Sequence, residues 1–469
     1  MTPARTFANR NIALFGLGGS GLATARALAE GGASVSVWDD NQSAREKAVA
    51  AGFAPVDLSK VDWSAFQSFV LAPGVPLTHP QPHWTVERAK AAGVEIIGDI
   101  EIFCRERRAL APNSPFLAIT GTNGKSTTTA LVAHILREAG YDVQMGGNIG
   151  VPVLDLAPPS DARVHVIECS TFQIDLAPSL DPHVGVLLNL TPDHIDRHGT
   201  MENYAAIKER LVASASFAVV GVDDDFCRGV CARLQAADRP VQAISQARSR
   251  EPACCCYDDR KLRRQVALAG EWRVTETLVD LTSAQALRGA HNGQNAAAAF
   301  AACDWLGVAH DDIGRGMKSF PGLAHRMEQV ARRGRTLFVN DSKATNADAA
   351  EKALKTFENI HWIVGGKAKE GGVEPLRPLF SRVTKAYLIG ASSDDFARTL
   401  DGAIAYERCG TLDIAVAHAS ADAARSTAPE PVVLLSPACA SYDQFPNFER
   451  RGDAFRALVQ DLVKAGDAS

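Results

Sequence analysis

The sequence predicts an α/β protein of three domains, and three observations lead to that fold class. Strand-like and helix-like runs alternate almost throughout the chain, which is the pattern of parallel sheets covered by helices. A chain of 469 residues is too long for one ordinary hydrophobic core. Turn-forming residues interrupt the alternation near 111–115 and 320–322. We therefore expect domains at 1–111, 112–322 and 323–469.

The first domain opens with a strand, a glycine-rich turn and a helix. An apolar run at 11–15 precedes the string Gly16-Leu17-Gly18-Gly19-Ser20-Gly21, and a helical pattern follows. A second strand, at 34–38, ends immediately before Asp39. This spacing matches the G-x-G-x-x-G fingerprint of dinucleotide binding, with an acid placed for a ribose. The same turn can hold any pyrophosphate, so NAD and a UDP-linked or other nucleotide-linked substrate both fit it.

The central domain begins with the pattern of a phosphate-binding loop (P-loop). Residues 120–127 read Thr-Gly-Thr-Asn-Gly-Lys-Ser-Thr, between an apolar run at 116–119 and a helical stretch at 128–138. Such a turn directs backbone N–H groups at phosphate oxygens, Lys125 adds a cation, and a serine hydroxyl after it can bind Mg²⁺. Ile119 stands where the longer Walker pattern has its first glycine, so this is a shorter G-x-x-G-K-S form. The loop predicts ATP as a substrate, and a chain that binds ATP does not need NAD at its first glycine turn.

Two further segments of the central domain carry candidate metal ligands. The strand-like run 165–169 places Glu168 at the carboxyl end of the sheet, where a phosphate loop needs an acidic Mg²⁺ ligand. After the next strand, at 184–190, comes the string Asp193-His194-Ile195-Asp196. Because Mg²⁺ prefers oxygen, a histidine near ATP favours a second divalent site or compatibility with Mn²⁺. The alternative is that this string only caps the following helix.

Lys208 falls on the apolar face of a predicted helix. At 100° per residue, Tyr204, Ile207 and Leu211 form one arc, and Lys208 lies inside it. A lysine on such a stripe usually extends its ammonium group to water, and the spacing alone favours that interpretation. The other interpretation is a buried, neutral amine that reacts with CO₂ to give a carbamate able to bridge metal ions.

The remaining elements continue the alternation. Strands are predicted at 336–340, 360–364, 386–389 and 432–435, and helices at 295–306, 347–357 and about 447–464. Between 245 and 271 the periodicity blurs, which indicates irregular strands or loops.

Composition excludes several classes of protein. A net charge of −5 and a pI of about 6.2 give no basic field for nucleic acid. The N-terminus lacks the apolar segment of a signal peptide, and the apolar stretch 296–309 is too short to span a bilayer. Ten cysteines, including the run 254–256, show no paired metal spacing and are expected to be reduced thiols. We expect a soluble cytoplasmic enzyme with small-molecule partners, and with no nucleic-acid or membrane partner.

Over essentially its whole length the chain resembles the cytoplasmic Mur ligases of peptidoglycan synthesis. The strings typical of the wider superfamily are Gly121-Thr122-Asn123-Gly124-Lys125-Ser126, Glu168, Asp193-His194, Lys208 and His291-Asn292-Gly293-Gln294-Asn295-Ala296. Those typical of the branch that adds D-glutamate are Gly98-Asp99-Ile100-Glu101, Asn340-Asp341-Ser342-Lys343-Ala344-Thr345-Asn346, Leu435-Ser436-Pro437-Ala438-Cys439-Ala440-Ser441, Asp443-Gln444-Phe445 and Phe448-Glu449-Arg450-Arg451-Gly452. The resemblance implies a Rossmann-like N-terminal domain for a UDP substrate, a central P-loop ATPase domain and a mobile Rossmann-like C-terminal domain for an amino acid.

The resemblance also implies which residues contact each ligand. The residues expected on ATP are Gly121, Thr122, Asn123, Gly124, Lys125, Ser126, Thr127, Asn292, Asn295, Arg326, Asp341 and Lys343. Those expected on the UDP substrate are Gly19, Ser20, Asp39, Asp40, Gly74, Asn148 and Ser170. Those expected on D-glutamate are Thr345, Lys369, Ser441 and Phe448, with Lys367 as an open alternative to Lys369. The expected metal ligands are Ser126, Glu168, His194 and Lys208 as a carbamate, and the expected catalytic residues are Lys125, His194 and Lys208.

The activity implied by the resemblance is ATP-dependent amide ligation. D-glutamate would be joined to UDP-N-acetylmuramoyl-L-alanine through an acyl phosphate, with two Mg²⁺ sites that tolerate Mn²⁺, in a monomeric enzyme. The alternatives are another Mur-type or folylpolyglutamate-type ligase, an NAD-dependent oxidoreductase, and a nucleotide-dependent switch without catalysis. Phosphate release that depends on both the UDP substrate and D-glutamate would distinguish these hypotheses.

Overall fold

A computed structural model describes residues 1–248, 254–268, 271–369 and 371–467 of the chain. These residues form three sheets, of four, nine and six strands, with helices between the strands. The chain divides into two compact units, one made of Met1–Leu281 with Gly293–Lys318 and the other of Thr282–Asn292 with Ser319–Ser469. The first unit contains the four-stranded and nine-stranded sheets, and the second contains the six-stranded sheet. The predicted three-domain α/β class is confirmed.

The first sheet is wholly parallel, with strand order β2-β1-β3-β4. Its strands are β1 Asn11–Phe15, β2 Ser34–Trp38, β3 Ser68–Leu71 and β4 Glu95–Ile97. The helices of this region are α1 Gly19–Glu30, α2 Gln42–Ala50, α3 Trp84–Ala91 and α4 Asp99–Leu110. β1 and β2 have the predicted bounds.

The second sheet has the order β13-β12-β11-β10-β9-β8-β5-β7-β6. Its strands are β5 Phe116–Thr120, β6 Asp142–Gly147, β7 Arg163–Glu168, β8 Val184–Leu187, β9 Phe217–Gly221, β10 Val241–Ser245, β11 Cys254–Asp258, β12 Lys261–Leu268 and β13 Glu271–Asp280. The strands from β6 to β11 pair in parallel, whereas β12 and β13 are antiparallel. The blurred segment 245–271 therefore contains two strands, and its residues 249–253 and 269–270 lie outside the described part of the chain.

Seven helices accompany the described strands of this sheet. They are α5 Lys125–Glu138, α6 Thr171–Asp175, α7 Ile195–His198, α8 Met201–Ala213, α9 Asp225–Ala236, α10 Ala290–Trp305 and α11 His310–Ser319. Helix α5 begins at Lys125, three residues before the helical stretch at 128–138, and Gly124 is its N-cap residue.

The third sheet has the order β14-β15-β19-β16-β17-β18, and only β14 is antiparallel among its described strands. Its strands are β14 Glu328–Arg333, β15 Thr336–Asn340, β16 Ile360–Gly365, β17 Val383–Ile389, β18 Tyr406–Gly410 and β19 Val432–Leu435. Its helices are α12 Ala347–Thr356, α13 Ser393–Leu400, α14 Leu412–Arg425 and α15 Phe448–Asp467. Short 3₁₀ helices complete the described structure at Arg5–Phe7, Trp63–Ala65, Val153–Asp155, Gln285–Leu287 and Glu374–Arg382.

The period-two alternation of the third sheet places a hydrophobic core on each of its faces. Along β16, Trp362 and Val364 belong to one cluster of buried side chains, and Ile363 belongs to the other. Burial on both faces agrees with the near-continuous apolar runs of the parallel strands. Within the described residues, no helix is both long and apolar enough to cross a membrane.

Candidate functional site

The phosphate loop follows β5 directly and ends where α5 begins. Gly121 has φ of +148° and Gly124 has φ of +86°, backbone conformations that side chains rarely adopt. A Cβ atom on Gly124 would come within 2.4 Å of the Asn295 Oδ1 atom, so this glycine also permits close packing of α10. Asn295 accepts a hydrogen bond of 3.2 Å from the Thr128 hydroxyl. The loop thus brings Asn295, expected on ATP, against the start of α5.

Lys125 folds back over its own loop. Its Nζ donates to the carbonyl oxygens of Gly121 and Thr122 at 2.9 and 2.8 Å. Ser126 is buried and Thr127 is half-buried on the same first turn of α5. The positive end of a 14-residue helix and the Lys125 ammonium group therefore lie at one loop, which is the arrangement that binds phosphate.

Asn189, two residues after the end of β8, forms two hydrogen bonds with the backbone of the phosphate loop. Its Oδ1 accepts from the backbone N–H of Asn123 at 2.8 Å, and its Nδ2 donates to the Asn123 carbonyl at 3.1 Å. Thr122 makes a 3.1 Å hydrogen bond with the Tyr204 hydroxyl. The sequence offered only a weak signal for Asn189, because its position after a strand does not reveal which loop it contacts.

Glu168 ends β7 beside the loop, as predicted. It pairs in register with Ile119 of β5, and only 2% of it is exposed. Its Oε1 accepts from the Asn148 Nδ2 atom at 2.7 Å, whereas its Oε2 is buried without a hydrogen-bond partner among the described residues. A buried carboxylate oxygen without a donor is costly, and a cation is the ligand that such an oxygen fits. Asn148, expected on the UDP substrate, therefore also orients the candidate metal ligand.

Lys208 is buried, with 1% of its surface exposed. Its Nζ donates to the Thr120 hydroxyl and to the Gly121 carbonyl, both at 3.0 Å. The expectation that the ammonium group reaches water is therefore wrong, because α8 turns this side chain towards the base of the phosphate loop. Burial lowers the pKa of Lys208 well below its usual value, and the nearby Lys125 cation lowers it further. The structure thus favours a neutral amine at this position.

His194 lies at the turn that starts α7, with φ of +51°. Its side chain is 53% exposed, and its Nε2 is 3.6 Å from the Asp193 carboxylate. The His194 ring centroid is 5.3 Å from that of Phe172, which follows Ser170 on α6. Ser170 caps α6 by accepting from the Gln173 backbone N–H at 3.3 Å. The turn both starts a helix and presents an accessible imidazole, so the capping and ligand interpretations are compatible.

The glycine turn of the first sheet is built differently. A Cβ atom on Gly21 would lie 1.8 Å from the Gly16 carbonyl oxygen, so the packing of α1 on the turn requires glycine there. A Cβ atom added to Gly18 or Gly19, at the N-terminal end of α1, would have no neighbouring atom of the described chain within 4 Å. Ser20 is half-buried beside them. Two glycines therefore leave open space at a helix N-terminus, where a pyrophosphate is favourable.

The two acidic residues after β2 contact the loops beside them. Asp39 accepts from the backbone N–H groups of Leu17 and Asn41 at 2.7 and 2.8 Å. Asp40 is exposed and lies 3.1 Å from the His83 Nε2 atom. Gly74, also exposed, lies in the turn after β3. All three lie beyond the carboxyl ends of β2 and β3, the two parallel strands that flank β1, and such strand ends are where open sheets bind ligands.

In the second unit, the loops after β15, β19 and β16 carry the other predicted residues. These strands are adjacent in the sheet, so their carboxyl ends share one edge. Thr345 follows β15 and is half-buried, Ser441 follows β19 and is buried, and Lys369 follows β16 and is exposed. Lys367 pairs through its backbone with Ala440, which precedes Ser441. The side chains of Lys367 and Lys369 are both exposed, so the choice between them stays open.

The nucleotide-side residues of this unit surround the loop after β15. Asp341 is buried, and its carboxylate accepts from the Ser436 hydroxyl at 2.8 Å and from the Met327 backbone N–H at 3.2 Å. Burial raises the pKa of Asp341 to about 7. The Lys343 ammonium group lies 4.0 Å from the ring centroid of Phe448. Lys343 and Phe448, expected on different ligands, are therefore in contact.

Two other predicted residues of this unit lie nearer its start. The Asn292 Nδ2 atom donates to the Arg288 carbonyl at 2.9 Å, and Arg326 is exposed in a tight turn with Leu323.

Arg451 joins two of these loops and was not predicted as a site residue. It is buried, and its guanidinium donates to the Ser342 hydroxyl at 2.9 Å and to the Cys439 carbonyl at 3.1 Å. Its string is typical of the D-glutamate branch, but Ser342 lies 109 residues away, and spacing along the chain does not reveal such a contact.

Three family models match the chain in succession. They describe a Mur ligase MurD-like N-terminal domain at residues 10–98, a Mur ligase middle domain at 119–303 and a Mur ligase glutamate ligase domain at 325–439.

Curated relatives match the chain over nearly its full length. It is 59% identical over 462 residues to the UDP-N-acetylmuramoylalanine–D-glutamate ligase of Mesorhizobium japonicum, a match that covers 98% of each chain. It is 57% identical over 463 residues to the enzyme of the same name from Brucella abortus, again over 98% of each chain.

Solved structures share the fold. A UDP-N-acetylmuramate-alanine ligase from Thermotoga maritima matches 97% of this chain and 100% of its own, at 17% identity and a TM-score of 0.55. A pseudomurein peptide ligase type C from Methanothermus fervidus covers the same shares, at 17% identity and a TM-score of 0.52. At these identities the likeness concerns the architecture alone.

Proposed function

Because this chain belongs to the Mur ligase family, we propose that it is an ATP-dependent ligase that adds D-glutamate to UDP-N-acetylmuramoyl-L-alanine in peptidoglycan precursor synthesis. The observation that carries the proposal is the loop after β5, where Lys125, the buried Glu168 and the buried Lys208 meet at one sheet edge. The relatives that match almost the whole chain are named for this reaction. The oxidoreductase alternative loses its basis, because the glycine turn falls within a Mur ligase N-terminal domain.

The chemical problem is that a carboxylate is a poor electrophile. An oxygen of the L-alanyl carboxylate attacks the γ-phosphorus of ATP, ADP leaves, and an acyl phosphate forms. The amine of D-glutamate then attacks the acyl carbon, inorganic phosphate leaves, and the nitrogen loses a proton to give the amide. Two anions must approach each other in the first step, so positioning and charge neutralisation are the protein's main tasks.

Lys125 and the phosphate loop would carry out that neutralisation. The loop's backbone N–H groups and the α5 dipole would hold the phosphates, and the Lys125 ammonium group would move from its own loop carbonyls to the transferring phosphoryl group. The residues expected to hold ATP are Gly121, Thr122, Asn123, Gly124, Lys125, Ser126, Thr127, Asn292, Asn295, Arg326, Asp341 and Lys343.

The donor set of this site fits Mg²⁺, which Mur ligases use together with ATP. The Glu168 Oε2 atom is buried without a partner in the described part of the chain, and the Ser126 hydroxyl on the phosphate loop would supply a second oxygen ligand. His194 adds a nitrogen that Mn²⁺ also accepts. When bound, the divalent ion would neutralise charge on the carboxylate and the phosphates. Two such sites would use Ser126, Glu168, His194 and Lys208.

Lys208 would serve as a ligand in its carbamate form. Burial lowers the pKa of Lys208 well below its usual value, which favours the neutral amine, and the neutral amine is the form that is nucleophilic towards CO₂. The carbamate would turn a residue that burial disfavours as a cation into an anion.

The UDP substrate would occupy the edges of the two sheets of the first unit. Gly19 and Ser20 would contact the pyrophosphate, and Asp39, Asp40 and Gly74 the nucleoside side. Asn148 and Ser170, on the central sheet, would contact the sugar and peptide end. Open space at Gly19 and the exposed position of Gly74 support this assignment.

D-glutamate would bind at the carboxyl edge of the third sheet. Thr345, Ser441, Phe448 and one of the two lysines, Lys369 or Lys367, would surround its carboxylates. Loops from three adjacent strands converge there, which supports a compact amino-acid pocket. Closure of this domain, which the family resemblance implies is mobile, would exclude water that would otherwise hydrolyse the acyl phosphate.

The expected cellular form is a cytoplasmic monomer without nucleic-acid or membrane partners. The acidic balance of charge supports the first exclusion.

A panel of acceptors tests the function. Phosphate release from ATP is measured with UDP-N-acetylmuramoyl-L-alanine and, in turn, D-glutamate, L-glutamate, other amino acids or none. Turnover that requires both the UDP substrate and D-glutamate is expected. Turnover with a folylglutamate acceptor, or with a longer UDP-muramoyl peptide, would instead identify another ligase of this class.

A further inference from the structure

Arg197 connects the two sheets of the first unit. Its Nη1 donates to the carbonyl oxygen of Gly74 at 3.0 Å, across 123 residues of chain. Gly74 lies in the turn after β3 of the four-stranded sheet, whereas Arg197 lies on α7, in the central domain. A hydrogen bond from a charged donor is stronger than one between neutral groups. This exposed contact therefore links the turn to the central domain.

The same guanidinium lies against an aromatic ring of the central domain. Its Cζ is 4.8 Å from the ring centroid of Phe172, which belongs to the helix capped by Ser170. The Arg197 Nε atom is covered and has no hydrogen-bond partner among the described residues, as expected for a guanidinium resting on an aromatic face. Arg197 thus contacts both a residue proposed for the nucleotide end and a neighbour of a residue proposed for the acyl end.

The chain approaches the first sheet again two residues later. A Cβ atom on Gly199, where φ is +79°, would come within 2.8 Å of the His79 Nε2 atom. His79 lies in the same connection, between β3 and α3, that contains Gly74. The segment after His194 therefore approaches this connection at two points, through the Arg197 hydrogen bond and through the close packing of Gly199 on His79.

We infer that Arg197 is a positioning residue that aligns the two ends of the UDP substrate. The inference rests on the proposed function, which places the nucleotide end on the first sheet and the acyl end on the second. A ligand that spans both sheets binds well only when their relative position matches its length. Arg197 acts on that match through the Gly74 carbonyl and Phe172, and touches no reacting atom.

The test separates the two ends of the substrate. UDP alone and UDP-N-acetylmuramoyl-L-alanine are titrated by calorimetry into the wild-type chain and into Arg197→Ala. Loss of a charge-assisted hydrogen bond should raise the Kd of the whole substrate about tenfold or more. The Kd of UDP should change less than about twofold, because the nucleoside contacts lie on one sheet. In turnover, the KM of the UDP substrate should rise and kcat should fall, with the KM of ATP unchanged.

Two further variants serve as controls. Arg233→Ala removes an exposed arginine of α9 that pairs with Glu209 of α8 at 2.6 Å, and this variant should bind both ligands as the wild type does. Arg197→Lys should recover part of the lost affinity, because a lysine can donate to Gly74 but lacks the planar face that lies on Phe172. If Arg197→Ala does not fold, Arg197→Lys is compared with the wild type in the same way.

Three outcomes would overturn the inference. They are equal weakening of UDP and the whole substrate, unchanged affinity for the whole substrate in a folded variant, and a fall in ATP affinity as large as that for the UDP substrate. Failure of the proposed function is seen separately, in the wild-type chain, as absence of turnover with ATP, the UDP substrate and D-glutamate.

Discussion

The first unit contains two glycine turns between a strand and a helix, and they differ in what surrounds them. After β1, Gly21 packs against its own turn, while Gly19 faces open space and no lysine follows. After β5, Gly124 packs against Asn295 of a distant helix, and Lys125 follows at once. The first turn thus offers space for a ligand, whereas the second is surrounded by groups that can neutralise the charge of a phosphate.

The difference shows why a glycine motif alone does not identify chemistry. Both turns offer backbone N–H groups at a helix N-terminus. The second also has beside it, within the described structure, a buried carboxylate oxygen without a partner, at Glu168, and a buried amine, at Lys208. The residues beside a glycine turn, rather than its glycines, therefore determine whether the turn can take part in phosphoryl transfer.

The largest effect is expected at Lys125. Lys125→Ala removes the cation from the transferring phosphoryl group, so kcat should fall by about 10³-fold or more. Its melting temperature should stay close to that of the wild type, because the ammonium group donates to carbonyls of its own loop. Lys60→Ala, which removes an exposed lysine of the first domain, is the matched control and should be fully active. Near-normal ligation by folded Lys125→Ala would remove the distinction between the two turns.

Lys208 should give the next largest loss. Lys208→Arg replaces a neutral or carbamylated side chain by a permanent cation at the base of the loop, and activity should fall by about 10²-fold or more. Wild-type protein equilibrated with ¹³C-bicarbonate should show a carbamate resonance by NMR, and Lys208→Arg should lack it. Activity that is indifferent to removal of bicarbonate, together with no such resonance, would contradict the carbamate proposal.

The sequence predicted the elements of these sites better than their interior contacts. Local patterns determined β2 and β15 at their observed bounds and put Lys208 on the buried face of α8. They wrongly favoured an ammonium group that extends to water. Its hydrogen-bond partners, Thr120 and Gly121, lie at a strand end 88 and 87 residues away along the chain. The Asn189 and Arg451 contacts were missed for the same reason. The periodicity of apolar residues indicates which face of a helix or strand is buried. Contacts between residues far apart in the chain depend instead on the order of the strands in the sheet.

A third prediction concerns the proposed D-glutamate pocket, where substitutions should leave ligand binding at both glycine turns unchanged. Thr345→Ala and Ser441→Ala should raise the KM for D-glutamate, each by the equivalent of about 1.5–3 kcal/mol for a lost hydrogen bond to a carboxylate. The KM values for ATP and the UDP substrate should change little. Steady-state kinetics with each substrate varied in turn measures this. Equal weakening of ATP and D-glutamate would mean that these residues govern domain closure rather than the amino-acid pocket.

The smallest effects test the first turn itself. Gly21→Ala should destabilise the protein by about 1–3 kcal/mol, because its methyl group meets the Gly16 carbonyl. Gly19→Ala should leave the free energy of unfolding unchanged and raise only the KM for the UDP substrate. Urea titration and kinetics measure the pair. Equal stability of the two variants would show that the turn is not packed as described. Binding of NAD by the wild-type protein would support the dinucleotide interpretation instead.

The most direct test of the proposed chemistry follows an oxygen atom. UDP-N-acetylmuramoyl-L-alanine labelled with ¹⁸O in its terminal carboxylate is converted with ATP and D-glutamate, and the released phosphate is analysed by mass spectrometry. An acyl phosphate transfers one carboxylate oxygen to phosphorus, so each phosphate should carry one ¹⁸O and the amide should keep the other. Unlabelled phosphate, formed while the D-glutamyl product accumulates, would contradict the acyl-phosphate route and the role assigned to the Lys125 loop.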